Sequence, residues 1–134
     1  MSAVAIAVIA FHVLVAVFWA GSTFVLARLA GLGGEKLVFP QFGAGIVAFL
    51  SGGYIWHTLH GDRFARAEQV LALGAACALI ALLVQASVGV PTVRALHGGK
   101  LGIDGARDRI GKAQRVAAAL LAVTAVTMVV TRYV

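Results

Sequence analysis

The chain is poor in the residues that most soluble functions draw on. It has one cysteine, two prolines and five acidic residues among 134. A lone Cys77 inside an apolar run cannot build a disulfide framework, and no CxxC pair exists to hold zinc or run thiol exchange. The five acids are Glu35, Asp62, Glu68, Asp104 and Asp108, and none lies deep in an apolar run. That argues against a carboxylate proton relay or a cation transporter, which place acids within the membrane interior. There is no GxGxxG fingerprint, no P-loop and no HExxH. The Gly-Gly pairs at 33–34, 52–53 and 98–99 lack the strand-to-helix context that phosphate binding needs. Neither an internal repeat nor a low-complexity segment is present.

What the chain has in excess is apolar surface. Hydrophobic residues make up 61%, charged residues 12%, and the mean hydropathy is +0.98. Soluble domains carry about 45–50% apolar and about 25% charged residues. A single domain of this length, residues 1–134, has too little interior to hide the difference, so the excess faces lipid. A bilayer-spanning helix needs roughly 20 apolar residues. Four runs qualify: about Ala3 to Leu29, Phe42 to His60, Val70 to Val93, and Ile110 to Thr131. The turn-like Gly31-Leu32-Gly33-Gly34 separates the first two. No Lys or Arg precedes the first run, and that run is about twice the length of a signal-peptide core, so it reads as a retained helix. With no water in the bilayer core, each span must satisfy its own backbone as a helix. The expected fold is all-α, a four-transmembrane-helix up-down bundle, because short connections favour antiparallel neighbours.

The net charge of +6 does not indicate nucleic acid, because the basic residues cluster in loops beside apolar runs. Four crossings put both termini on one side. That side carries Arg63, Arg66 and Arg132; the other carries Arg28, Lys36, Arg94, Lys100, Arg107, Arg109, Lys112 and Arg115. The positive-inside rule then predicts a bacterial inner-membrane protein with both termini periplasmic and the Arg94–Arg109 loop cytoplasmic. Tyr54, Trp56 and Tyr133 fall where an outer aromatic belt is expected. Small residues mark the expected inner faces: Gly43, Gly45, Gly52 and Gly53 in the second span, Gly74, Ala75, Ala76 and Ala78 in the third, Ala117, Ala118 and Ala119 in the fourth. Gln85, Ser87, Gln114, Thr124 and Thr127 are expected to face inward and bond between helices. Pro91 is expected to kink the third span.

Histidine carries the chemistry. Ionisable side chains inside spans are costly and are functional candidates. His12 lies about 4 residues outward of its span's midpoint, about 6 Å, and His57 about 6 residues outward of its own, about 9 Å. His60, three residues on from His57, shares its face. On antiparallel neighbours, His12 and His57 would approach one level and clamp a haem iron between them, as bundle cores do. Gly53, one turn before His57, would leave room for the macrocycle, and Phe11, Phe18 and Trp19 would wall it. Direct metal binding by His12, His57 and His60 is the alternative, since imidazole suits copper and zinc. The plainer readings are a backbone hydrogen bond for His57, an interfacial position for His60 before Gly61-Asp62-Arg63, and a loop position for His97.

The stretch His12-Val-Leu-Val-Ala-Val-Phe-Trp19-Ala-Gly21, followed by Arg28-Leu29, resembles the first helix of the CopD/HemJ-like membrane superfamily. Ser51-Gly52-Gly53 is similar to the Ser-Gly or Thr-Gly step of many CopD-like second helices. The likeness covers about the first 60 residues; beyond them only the span count agrees. It implies a helical bundle whose first-helix His, here His12, ligates b-type haem or copper. HemJ-type protoporphyrinogen oxidases also carry a functional Lys at the start of the third helix, where this chain reads Phe64-Ala65-Arg66-Ala67-Glu68-Gln69-Val70.

The leading expectation is a b-type haem protein carrying out one-electron transfer, with a quinone or a membrane redox partner. The alternatives are copper handling, HemJ-type oxidation of protoporphyrinogen, and a structural subunit of a larger membrane complex or homo-oligomer.

Overall fold

A computed structural model describes all 134 residues. Four helices follow one another: α1 (Ala3–Arg28), α2 (Gly34–Leu59), α3 (Arg66–His97) and α4 (Ile103–Val130), with a 3-10 turn over Thr131–Tyr133. There is no strand. All four helices are long and apolar enough to cross a bilayer. Neighbours in sequence are neighbours in space, and α4 closes the ring against α1. The most extensive packing is between α3 and α4. This is the up-down bundle that the four apolar runs predict.

Local chemistry sets the helix ends. Ser2 caps α1, its hydroxyl oxygen accepting from the Ala5 N–H at 3.1 Å. The α1–α2 turn needs left-handed backbone: φ is 53° at Ala30, 80° at Gly31 and 78° at Gly33. Glu68 folds back to accept from the N–H of Ala65, the residue before α3, at 3.0 Å.

Two helices begin seven or eight residues earlier than hydropathy indicates. α2 starts at Gly34, not Phe42, and α4 at Ile103, not Ile110. Polar residues at both starts are covered by each other. Arg107 donates two hydrogen bonds to Glu35, from Nη2 at 2.7 Å and from Nε at 3.2 Å. The third connection therefore shrinks to Gly98–Gly102, and exposed His97 is the last residue of α3. α3 runs through Pro91 without a break.

The predicted small-residue faces are half right. Gly45, Gly74, Ala78, Ala117 and Ala118 are buried, whereas Gly43, Gly53, Ala76 and Ala119 are exposed. The reason is helical periodicity: the buried positions of α2 are Gly34, Val38, Gln41, Gly45 and Ala48. Gly43 and Gly53 lie off that stripe. A Cβ on Gly45 would press on Leu82 at 2.6 Å and on the Trp19 ring at 3.1 Å. The main core packs Trp19, Ala48, Ala78, Ala81, Leu82, Ala117 and Leu121. Small residues here let large ones on facing helices close up, which is how helices associate in lipid.

Candidate functional site

His12 stands on the inward stripe of α1, which also carries Ala5, Trp19, Thr23 and Leu26. Its ring is half-buried and faces α2, where a Cβ on Gly52 would come within 3.2 Å of it. Gly52 thus makes room for the imidazole. His12 Nδ1 lies 2.7 Å from Ser51 Oγ. The Ser51 hydroxyl has one proton, and the carbonyls of Val47 at 2.8 Å and Ala48 at 3.1 Å are acceptors within its reach; we assign the proton to them. The Nδ1–H of His12 is therefore the donor to Ser51, and Nε2 keeps its lone pair. Ser51 is the one side chain that bonds this ring.

The other two histidines do not join it. His57 is exposed and sits about 140° around α2 from Gly52 at 100° per residue. It makes no side-chain hydrogen bond. Gly53, expected to open space for a macrocycle, looks outward, with nothing within 4 Å of its Cβ position. His60 is engaged elsewhere: its Nδ1–H donates to Glu68 Oε1 at 2.7 Å, and its ring lies 6.0 Å from that of Trp56. His12, His57 and His60 therefore form no cluster, and no group of three His, Cys, Asp or Glu side chains converges anywhere in the chain. The paired-imidazole clamp within one chain does not fit this geometry, because the stripe carrying Gly45, Ala48 and Gly52 turns His57 away.

Trp19 does not wall a cofactor pocket. It is 3% exposed and its Nε1–H donates to Gln85 Oε1 at 2.6 Å. This bond opens onto a buried polar layer to which every helix contributes. The Gln85 amide donates to Thr23 Oγ1 at 2.8 Å and to Gln114 Oε1 at 2.9 Å. Gln114 donates to Gln41 Oε1 at 2.8 Å, and Gln41 donates to Ser22 Oγ at 3.0 Å. No buried polar side-chain atom is left without a partner. Gln85 and Gln114 are legible in the sequence as inward polar residues. Gln41 is not, because it lies one residue outside the apolar run that begins at Phe42. Ser87, expected inward, is exposed and bonds only the Val84 carbonyl of its own helix. Thr124 and Thr127 are buried as expected, Thr124 donating to the Gly74 carbonyl of α3 at 2.9 Å.

An open apolar groove of about 300 Å³ lies between α1 and α2. Phe11 and Phe18 line it with Leu14, Gly43 and Val47, but no histidine does.

Fold and core together define a polytopic α-helical membrane protein. No family model, no curated protein and no solved structure matches the chain.

Proposed function

We propose that the protein is a membrane redox protein in which His12 is the chain's own ligand to a b-type haem. The observation that supports this is the bond from His12 Nδ1–H to Ser51. Imidazoles that ligate metals almost always donate their second nitrogen to a fixed acceptor, which sets the tautomer and the ring's orientation. Ser51 is such an acceptor, and two backbone carbonyls hold it in turn. In that tautomer Nε2 is bare and would be the ligating atom. When bound, the haem supplies one-electron chemistry, and the protein sets its potential and access. Any second protein ligand would come from outside the α1–α2 pair, because His57 faces away. The resemblance of His12, Trp19, Gly21 and Arg28 to the CopD/HemJ-like first helix favours the same residue. The Lys-free stretch Phe64–Val70 speaks against protoporphyrinogen oxidation. The bias of eight basic residues against three supports an inner-membrane protein with both termini periplasmic.

A second reading, a structural subunit of a membrane complex, draws on the polar layer. Its donors and acceptors are spent on one another, leaving none for a substrate.

Absorption spectroscopy and metal analysis of protein expressed with ample haem decide between them. A Soret band that His12→Ala abolishes and His57→Ala leaves intact is the expected result. An unchanged band in His12→Ala overturns the assignment. Copper without a Soret band favours copper handling, and neither cofactor favours the structural subunit.

A further inference from the structure

The basic residues of α4 do more than bias topology. Arg109, Lys112 and Arg115 are exposed on the face opposite buried Ala106, Ile110, Ala113 and Ala117. They climb α4 over six residues, about 9 Å at the helical rise. Arg115 adjoins Gln114, which bonds Gln41 and Gln85, so it stands at the level of the buried polar layer. On α1 that level is Thr23, five residues or about 8 Å inside Arg28. Between the two, α1 exposes Phe24 and Val25. On α3 the level is Gln85, nine residues or about 14 Å inside Arg94. A cationic stripe thus rises along α4 at the level of apolar surface on α1. A topology signal needs positive loops; it does not need cations this far along a lipid-facing helix.

The geometry points to an occupant: the phosphate of an anionic phospholipid, held by Arg109, Lys112 and Arg115, with its acyl chains along the apolar flank that includes Phe24 and Val25. Three features select a lipid. The stripe lies on the exposed face of a helix long and apolar enough to span a bilayer. α4 runs away from the basic end, so its side chains lean back toward that end and carry their cations to headgroup level. The only acid paired with the stripe is Asp108, 3.0 Å from Lys112 and itself 63% exposed, which leaves two of the three positive charges uncompensated. This inference is independent of His12.

The test uses the purified full chain and counts bound lipid by native mass spectrometry, with thermal unfolding as a second readout. Phosphatidylglycerol should bind and raise the unfolding temperature, while phosphatidylcholine should not. Each cation near an anionic surface multiplies binding about fivefold, so Lys112→Gln with Arg115→Gln should weaken the interaction by more than about tenfold. Both side chains are exposed, so unfolding in phosphatidylcholine should not change. Equal binding of the two lipids, or full binding by the double variant, overturns the proposal. Inorganic phosphate alone reproducing the stabilisation overturns it as well, by showing an anion site that takes no lipid.

Discussion

Gly111→Leu should be among the most damaging single substitutions in the chain. The N-terminal part of α4 lies directly against the α1–α2 turn. A Cβ on Gly111 would stand 2.7 Å from the Ala30 carbonyl carbon and 3.0 Å from its oxygen. From the other side, a Cβ on Gly31 would overlap the Arg107 carbonyl, and Gly31 also needs its φ of 80°. Backbone faces backbone here, so no flexible side chain can yield. Overpacking of this kind costs about 3 kcal/mol or more, at the upper end for point substitutions. It would also pull Glu35 from Arg107, since both flank the same contact. Gly43→Leu is the matched control. Nothing lies within 4 Å of its Cβ position, and its cost should stay within about 0.5 kcal/mol. Unfolding by titrated denaturing detergent measures both.

Gln85→Leu should come second. The volume is nearly conserved, but the Trp19 N–H, 3% exposed, loses its acceptor, and Thr23 and Gln114 lose a donor. Stranding a buried donor costs about 1–3 kcal/mol. Interhelical bonds in lipid average about 0.6 kcal/mol, so about 2 kcal/mol is expected for a residue holding three of them. Trp19→Phe should cost less. The double variant should cost less than the two singles added, because each single strands the other's polar group. Strict additivity in this cycle would show that the bond from Trp19 to Gln85 contributes nothing.

The four crossings were legible because apolar runs of bilayer length admit only one reading. Their ends were not, because hydropathy weighs each residue as if alone. Glu35 and Arg107 look like loop residues until paired, and Gln41 looks like a boundary until Gln114 meets it. The pattern of α4 was present all along: Ala106, Ile110, Ala113 and Ala117 recur at helical spacing beneath the charges. For the candidate site, the sequence singles out His12 by its depth in α1. It was misread at His57 because depth was matched without rotation. Gly45, Ala48 and Gly52 recur at three and four residues, and that stripe puts His57 on the far side. The role of Ser51 as partner to His12 needs the interhelical register, which no single helix contains.

Nitrogen NMR of the protein, labelled at histidine and reconstituted in lipid nanodiscs without haem, examines His12 most directly. The assigned His12 ring should carry its proton on Nδ1 and a bare lone pair on Nε2, with Ser51→Ala releasing that preference. A His12 ring protonated at Nε2, unmoved by Ser51→Ala, would contradict its assignment as a ligand.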